Sequence, residues 1–446
     1  MNLVMKKIHL IAIGGAVMHN LALELHRLGH EVSGSDDTIF EPALSRLRSA
    51  GILPNKTGWD ASKITSNIDL VILGMHAKKD NVELARALEL QIPVMSFPEF
   101  IAMHAADKQR WVVAGSHGKT TTTAMTMHAL KANNINFDYL VGAALDGFEN
   151  MVRLSDAPIM VIEGDEYGSS ALNPKPKFFH YKPHAAVITG IAWDHINIFK
   201  SFSEYVEQFN KFTQTFMPSS PLFIHESLQS EPLFQSHVPA TIYQQFDYVE
   251  KEGNTYVYYN NELYPVQFFG YYNFQNLKAA YRLCELAGIS AHDFLTSMAY
   301  FKGTQKRQEV LVNTQDKVII RDFAHSPSKV KATVNAVVEK YPHSRTVAIL
   351  ELHTYSSLDP EFIPLYKGTC SNASNLIVFL DEEALQIKNK RMPSSTLLNE
   401  VFNNPQICTS KKELEVLCRN WVLEHKPIVL LFMSSGNFAQ LPIETF

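Results

Sequence analysis

Residues 111–122 read WVVAGSHGKTTT, and this stretch decides the fold of the central part of the chain. The apolar residues at its start predict a buried strand, and apolar side chains after it recur at helical spacing. Gly115 and Gly118 let backbone N–H groups point into one concavity at the N-terminus of that helix, which attracts anions. Lys119 can reach the β- and γ-phosphates of a nucleotide, and the Thr120 hydroxyl suits a Mg²⁺ ion.

The loop is a shortened form of the eight-residue phosphate-binding pattern, because Val113 stands where that pattern has its first glycine. The alternative is a glycine-rich turn with an exposed lysine. Because a lysine and three threonines lie between a buried strand and a helix, we favour nucleotide binding. The loop residues expected to contact the nucleotide are Gly115, Ser116, His117, Gly118, Lys119, Thr120 and Thr121.

The composition is that of an ordinary globular protein. Of 446 residues, 46% are apolar and 19% are charged, which excludes disorder, a collagen-like repeat or a coiled coil as the main architecture. The 40 Lys and Arg and 45 Asp and Glu residues give a formal charge of −5, so the chain is a poor candidate for binding nucleic acid or an anionic membrane. The four cysteines have no CxxC spacing and predict reduced core thiols.

The N-terminal apolar run from Ile8 to Gly15 is interrupted by His9, and charged residues follow it at once. It therefore predicts a first strand and not a signal peptide. No apolar stretch approaches the roughly 20 residues that span a bilayer. We expect a cytoplasmic protein without membrane insertion, as a monomer or a weak homo-oligomer.

Alternating strand-like and helix-like segments predict an α/β protein of three domains. Residues 1–107 predict a Rossmann-like parallel sheet. Residues 108–312 contain the phosphate-binding loop and, at 254–268, two strand patterns around Asn260-Asn261 that predict an antiparallel hairpin beside a parallel sheet. Residues 313–446 carry four apolar runs that each end in polar residues, and they predict a doubly wound α/β domain.

Polar residues follow two further strands of the central part. One apolar run ends in Glu163, and another leads to Asp194-His195. Ligands bind at the carboxyl ends of such strands, so Glu163 is a good second Mg²⁺ ligand. We interpret Asp165 and Glu166 as rim charges; a solvated helix N-terminus is the alternative for the whole acidic group. Imidazole is not the first choice of Mg²⁺, so the residues alone favour a core or surface position for His195.

Six motifs, in this order, resemble those of the Mur ligases, the ATP-dependent amide ligases of peptidoglycan synthesis. They lie at 115–122 (GSHGKTTT), 163–167 (EGDEY), 194–195 (DH), 272–276 (YNFQN), 301–307 (FKGTQKR) and 322–327 (DFAHSP). Gly34-Ser35-Asp36 and residues 435–438 extend the resemblance over the whole chain. Within the family, the chain is most similar to ligases that join UDP-N-acetylmuramate to a murein tripeptide, and the L-alanine ligases are the close alternative.

The resemblance implies an N-terminal domain for the UDP sugar, a central ATPase, and a C-terminal domain that helps hold ATP and the incoming peptide. It implies catalytic roles for Lys119, His195 and Arg307. Mg²⁺ would be held by Thr120, Glu163 and His195, which overrules the interpretation of His195 from the residues alone. Besides the loop, ATP would contact Asn273, Asn276, Arg307, Asp322 and His325. The UDP group would contact Gly34, Ser35 and Asp36, and weaker candidates at the C-terminal edge are His353 and Tyr355.

Several positions depart from the family pattern. Ala12 stands where the first N-terminal glycine usually lies, and Asn20 replaces another small residue, so the loop for the uridine diphosphate is expected to differ in shape. Tyr272 replaces the usual histidine on the adenine side. Thr354 replaces an arginine that is frequent in the L-alanine ligases, which favours a different amine. Gly168 replaces an acidic residue of the family pattern, and Ser326 replaces a second histidine.

Two other function classes are open. A regulatory P-loop ATPase would bind partners and make no bond, but the chain has no Asn-Lys-x-Asp segment for guanine, and such a switch has no obvious use for the third domain. Folylpolyglutamate synthases share the ligase architecture. Gly34-Ser35-Asp36, within a separate N-terminal α/β domain, argues for a nucleotide sugar instead of a folate.

Overall fold

The computed structural model describes residues 5–75, 77–193, 198–387 and 390–446, without the side chain of Ile387. Within these residues, three α/β units follow one another along the chain, as the sequence predicts. Among the described helices, none combines the length and the apolar character needed to cross a membrane. All four cysteines are buried free thiols.

The N-terminal unit is a parallel sheet covered on both faces. Its strands are β1 (Lys7–Ile11), β2 (Glu31–Ser35), β3 (Leu70–Leu73) and β4 (Val94–Ser96). Its helices are α1 (Ala16–Arg27), α2 (Ala43–Ser49), α3 (Val82–Glu89) and α4 (Phe97–His104). The strand order is β2-β1-β3-β4. Strand β3 is wholly apolar and buried because helices cover both sides, which is typical of a parallel sheet.

The central unit has a seven-stranded sheet. Its strands are β5 (Gln109–Ala114), β6 (Phe137–Leu140), β7 (Val152–Arg153), β8 (Ile159–Glu163), β9 (Ala185–Ile188), β10 (Leu222–His225) and β11 (Ala240–Tyr243). Its helices are α5 (Lys119–Ala132), α6 (Phe202–Thr213), α7 (Tyr271–Glu285) and α8 (Ala291–Met298). The order is β11-β10-β9-β5-β8-β6-β7, parallel except for β7. Strand β5, which leads into the phosphate-binding loop, therefore lies at the centre.

A separate antiparallel sheet is attached to this unit. It consists of β12 (Tyr248–Lys251), β13 (Asn254–Tyr259) and β14 (Glu262–Val266). The predicted hairpin at 254–268 is confirmed, because β13 pairs antiparallel with β14. Asn260 and Asn261 both have positive φ, at 51° and 64°, which a two-residue turn of this kind requires.

The C-terminal unit is a mostly parallel sheet with helices. Its strands are β15 (Glu309–Asn313), β16 (Lys317–Asp322), β17 (Arg345–Glu351), β18 (Asn375–Phe379), β19 (Gln406–Cys408) and β20 (Ile428–Met433). Its helices are α9 (Pro327–Lys340), α10 (Glu382–Ile387), α11 (Ser395–Phe402) and α12 (Lys411–Glu424). The order is β15-β16-β20-β17-β18-β19. The expected border at residue 312 falls inside β15, which belongs to this third sheet because it pairs antiparallel with β16.

Polar contacts fasten the N-terminal unit to the central unit. The buried Asn20 amide accepts hydrogen bonds from Arg46 at 2.8 Å and from the Met151 N–H at 3.0 Å. Glu24 accepts from the Leu154 N–H at 2.7 Å. The departure at Asn20 therefore serves this interface, because its side chain links α1 to α2 and to the segment before β7.

Helix α9 fastens the C-terminal unit to the antiparallel sheet. Lys340, at its end, donates to the Glu250 carboxylate at 2.6 Å and to the Thr255 hydroxyl at 2.8 Å. Tyr248 donates to Glu339 at 3.0 Å. These contacts hold the C-terminal end of α9 against the antiparallel sheet.

Candidate functional site

The predicted loop runs from the end of β5 to the start of α5, as the sequence indicates. Gly115 and Gly118 have φ of +129° and +79°. A Cβ at Gly115 would collide with the Thr189 hydroxyl, and one at Gly118 would collide with the Asn276 amide. Both positions need glycine on two grounds, since other residues rarely adopt these angles and the space is already filled.

Lys119 is a largely buried cation within the loop. Its ammonium donates to the Gly115 carbonyl at 2.6 Å and to Glu166 Oε2 at 3.0 Å. Burial alone would lower the pKa of Lys119, but the carboxylates of Glu166, Asp165 and Glu163 outweigh it and raise this pKa. Lys119 is therefore charged at neutral pH and stands where a phosphate can compete with Glu166.

Thr120 and Glu163 bring two oxygen donors together. The Thr120 hydroxyl donates to Glu163 Oε1 at 2.8 Å, and the Gly142 N–H donates to Glu163 Oε2 at 2.7 Å. Burial, together with the Asp165 carboxylate, raises the pKa of Glu163. The pair fits a hard cation such as Mg²⁺, which commonly takes one or two protein oxygens and leaves its other positions to phosphates and water. Across the described residues, no group of three or more His, Cys, Asp or Glu side chains could hold a metal by itself.

The interpretation of Glu166 as a rim charge is wrong. Glu166 is fully buried and accepts from Lys119 and, at 2.8 Å, from the Tyr205 hydroxyl. Asp165 pairs with Lys177 at 2.9 Å. Burial raises the pKa of Asp165, but Lys177 and Lys119 reverse this and lower it overall. The acidic group faces inward because β8 lies beside β5 in the sheet, which places its carboxyl end next to the loop.

A cavity of about 780 Å³ opens between the central and C-terminal units, beside the loop. Of the predicted ATP contacts, the residues that line it are His117, Gly118, Thr121, Asn273, Asn276, Arg307 and Asp322. Gly115, Ser116, Lys119 and Thr120 are not among the lining residues. The Ser116 hydroxyl is 2.8 Å from that of Tyr205 and accepts from the Ala192 N–H at 2.9 Å, so it stabilises the loop from beneath.

Asn273 and Asn276 begin α7 and reach the cavity in different ways. Asn273 donates to the Phe269 carbonyl at 2.9 Å and to the Gln308 amide at 2.8 Å, so it connects α7 to the segment after Arg307. Asn276 approaches Gly118 of the loop. Tyr272, which replaces the family's histidine, is half exposed and also lines the cavity.

Asp322 is held rigidly at the C-terminal wall. Its carboxylate accepts from the N–H groups of Gln308 at 2.7 Å and Ala324 at 2.6 Å, and from the Thr333 hydroxyl at 3.3 Å. Burial raises the pKa of Asp322, although the Arg307 charge opposes the shift. The Arg307 guanidinium lies 4.8 Å from the centre of the Phe323 ring. Both side chains face the cavity from the unit opposite the phosphate-binding loop.

His325 was predicted to contact ATP but does not line the cavity. Ala324 stands in the cavity wall instead, and His325 Nδ1 is 2.8 Å from the Phe323 carbonyl. His195 and its neighbour Asp194 lie outside the described residues, so their contacts with Mg²⁺ stay a prediction.

The predicted UDP contacts lie in the N-terminal unit, away from this cavity. Asp36 accepts from the Gly14 N–H at 2.8 Å, and burial raises its pKa. Ser35 is buried and accepts from Lys63 at 2.8 Å. Ala12, just before Gly14, has a φ of +68°, an angle that favours glycine. Alanine therefore occupies a glycine-like backbone position at the departure from the family pattern.

At the C-terminal edge, the weaker candidates lie near a buried carboxylate. Glu351 accepts from the Ser434 hydroxyl and, at 3.2 Å, from the Phe438 N–H. His353 Nδ1 is 3.8 Å from Glu351, and Tyr355 is exposed. These groups stand at the carboxyl ends of β17 and β20.

The sequence reasoning missed several residues of the cavity wall. Two of them contact the predicted residue His117: the Ser328 hydroxyl is 2.7 Å from its Nε2, which joins the loop to α9, and Thr189 donates to its carbonyl. Further examples are His225, Gln275, Gln308 and Lys329. Thr189 and His225 lie at the carboxyl ends of β9 and β10, so the rule that revealed Glu163 also applies to them.

Comparison with known proteins adds a second line of observation. A model described as "Mur ligase family, catalytic domain" matches residues 7–109, and one described as "Mur ligase middle domain" matches residues 113–284. The chain is 30% identical over 460 residues to a UDP-N-acetylmuramate–L-alanine ligase of Clostridium kluyveri, covering 98% of this chain and 97% of that protein.

Two further relatives are of a different kind. Over 367 residues, the chain is 28% identical to a UDP-N-acetylmuramate–L-alanyl-γ-D-glutamyl-meso-2,6-diaminoheptandioate ligase of Haemophilus influenzae, covering 78% of this chain and 80% of that protein. The fold of the present chain matches the crystal structure of a murein peptide ligase from Psychrobacter arcticus with a TM-score of 0.68, at 22% identity, covering 98% of this chain and 97% of that one. The relatives thus divide between two amine substrates.

Proposed function

The chain belongs to the Mur ligase family of ATP-dependent ligases, and from this premise we propose that it joins UDP-N-acetylmuramate to the tripeptide L-alanyl-γ-D-glutamyl-meso-diaminopimelate. ATP would be split to ADP and phosphate. One observation carries the proposal: Lys119, Thr120 and Glu163 lie beside a large cavity whose opposite wall presents Arg307 and Asp322. An anion site with metal-binding oxygens thus faces a second unit across a space fit for a nucleotide.

The chemistry requires activation of an acid. A carboxylate does not condense with an amine in water, because hydroxide is a poor leaving group. In the proposed path, the lactyl carboxylate attacks the γ-phosphorus of ATP, and ADP leaves. The α-amine of the peptide then attacks the acyl carbon, phosphate leaves with the bonding electrons, and the amine loses a proton. The product is an amide.

The first step brings two anions together, so cations must neutralise the charge as it moves. Lys119 would bind the phosphates in exchange for Glu166, and Arg307 would reach them from the C-terminal wall. Asp322, immobilised by its three donors, would accept hydrogen bonds from the ribose hydroxyls. Contacts such as that of His117 with Ser328 would close the cavity against water that hydrolyses the acyl phosphate.

Mg²⁺ suits the oxygen donors of Thr120 and Glu163, with His195 as a further proposed ligand. When bound, it would neutralise phosphate charge and orient the terminal phosphoryl group. Gly34, Ser35 and Asp36 are proposed to contact the UDP group at the end of β2.

A second candidate is ligation of L-alanine to the same nucleotide sugar. It is favoured by the 30% identity that extends over nearly the whole of the Clostridium kluyveri relative. Against it stands Thr354, where L-alanine ligases often carry arginine. The Thr354 hydroxyl is 3.1 Å from that of Ser356 and accepts from the Ser357 N–H at 3.0 Å, so this turn offers no positive charge at residue 354 to a small amino acid.

An amine competition tests the proposal. The protein is incubated with ATP, Mg²⁺ and UDP-N-acetylmuramate, and L-alanine, the tripeptide and a longer stem peptide are offered together. Mass spectrometry should detect mainly the tripeptide adduct, with phosphate release that depends on the amine. A dominant L-alanine adduct would select the second candidate, and ATP hydrolysis that no amine stimulates would refute ligation.

A further inference from the structure

His225 lies at the end of β10, in the wall of the nucleotide cavity, and is 6% exposed. It caps a short turn: the Ser227 N–H donates to its Nδ1 at 3.2 Å, and the Ser227 hydroxyl is 2.9 Å from the same nitrogen. A backbone N–H can only donate, so Nδ1 must be the acceptor nitrogen. The proton of the neutral imidazole is therefore on Nε2, and burial, which lowers the pKa of His225, keeps the ring neutral.

This tautomer decides the orientation of a neighbouring amide. One terminal atom of the Gln275 amide, on α7, lies 2.6 Å from His225 Nε2. Because Nε2 carries a proton, the atom that faces it must be the amide oxygen. The nitrogen and oxygen of a glutamine amide are assigned from such networks and not from shape. The NH₂ group of Gln275 is then turned away from His225.

Gln275 is 7% exposed and lines the cavity, so it is a buried side chain whose accessible part faces the nucleotide space. In helix α7, Gln275 lies between Tyr272, whose ring is half exposed, and Asn276, which approaches Gly118 of the phosphate-binding loop. Lys119 and the N-terminus of α5 already provide contacts for the phosphate groups. A neutral donor beside an aromatic ring matches a different part of the nucleotide, since the ring nitrogens of a purine are acceptors and its faces are flat.

We propose that the NH₂ group of Gln275 donates a hydrogen bond to a ring nitrogen of the purine base, and that His225 is the positioning residue that orients this amide. The assignment rests on the proposed function, in which the cavity holds ATP. It makes Gln275 a determinant of base recognition.

Calorimetry with Mg²⁺ and four nucleotides tests the donor: ATP and its 1-deaza, 3-deaza and 7-deaza analogues, each of which lacks one ring acceptor. The whole protein should bind one analogue about tenfold more weakly than ATP, because the buried donor loses its partner. In Gln275→Leu, ATP and that analogue should bind equally. Gln267→Leu is the matched control, since Gln267 is exposed and donates to the Ala299 carbonyl, away from the cavity; it should keep the tenfold ratio.

The outcomes separate two failures. If Gln275→Leu weakens all four nucleotides by one common factor, or weakens none, the assignment of Gln275 to the base is overturned. The proposed function still stands after such a failure of the Gln275 assignment, provided that the wild-type protein takes up ATP and Lys119→Ala does not. If the wild-type protein takes up no ATP at saturating Mg²⁺, both proposals fall.

A spectroscopic measurement tests the positioning role of His225 without any nucleotide. In the whole protein labelled with ¹⁵N-histidine, the ring signals that disappear in His225→Asn should show a protonated Nε2 and an unprotonated Nδ1. The opposite tautomer would place the amide nitrogen of Gln275 towards the ring and would overturn the proposal.

Discussion

Lys119→Ala perturbs the centre of the site, and the structure predicts two separable losses. The Lys119 side chain is 11% exposed, and its ammonium pairs at 3.0 Å with the fully buried Glu166 carboxylate. Its removal takes a cation away from the Glu166 carboxylate, which also accepts a hydrogen bond from the neutral Tyr205 hydroxyl at 2.8 Å. Breaking a buried pair from one side costs about 3–5 kcal/mol of unfolding free energy. The same change removes a cation from the phosphates, which should lower kcat/KM by about 10²–10³-fold or more.

The double variant Lys119→Ala with Glu166→Gln separates the two losses. The neutral glutamine removes the buried negative charge that Lys119 neutralises in the wild-type protein, so most of the unfolding free energy should return while ligation stays lost. Urea unfolding measures the first quantity, and amine-dependent phosphate release measures the second. Lys131→Ala, on the same helix, is the matched control, because Lys131 donates to the Gly147 carbonyl outside the nucleotide cavity. Near-normal kcat/KM in Lys119→Ala would refute the phosphate assignment, and a double variant no more stable than the single one would refute the ion-pair argument.

Three further predictions follow from particular residues. Asp322→Ala should raise the KM for ATP, because the ribose loses its proposed acceptor; an unchanged KM and kcat/KM in steady-state assays would contradict that role. Ala12→Gly should raise the unfolding free energy by about 1 kcal/mol, because it relieves the left-handed backbone angle, and urea unfolding that shows a loss instead would contradict this reasoning. Burial, reinforced by the Arg46 charge, lowers the pKa of His19 below 6.5, although its bond to the Gly15 carbonyl opposes this. The unfolded chain then binds a proton that the folded chain does not, so stability should fall as the pH drops below 6.5, and His19→Gln should reduce this slope in urea titrations between about pH 7 and pH 5.

Much of the fold could be predicted from the sequence, since short-range patterns carry that information. Apolar runs that are buried on both faces revealed the main parallel strands of all three units. The pair Asn260-Asn261 revealed the hairpin because both residues tolerate positive φ. Strand β15 was not predicted, because its five residues are only partly buried and give no continuous apolar run. The expected border therefore fell inside this strand.

The candidate site was predictable only in part. Lys119 and Thr120 follow from the loop, and Glu163 follows from the end of a strand. The inward position of Glu166 was not predictable, because a carboxylate after a strand is compatible with either the rim or the interior. The pairing of His225 with Gln275 joins residues 50 positions apart, and no local pattern reports it.

The sequence by itself determined the strand, loop and helix at 111–132. The signals for them are the glycines of the loop, the apolar periodicity and the lysine, and these lie within a few residues of one another. Only the tertiary structure decided which side chains meet across that loop. The order of strands in the central sheet sets β8 and β9 on either side of β5, and this order depends on contacts between distant parts of the chain. For the same reason, the opposite wall of the cavity, with Arg307 and Asp322, exists only once the C-terminal unit has docked through α9.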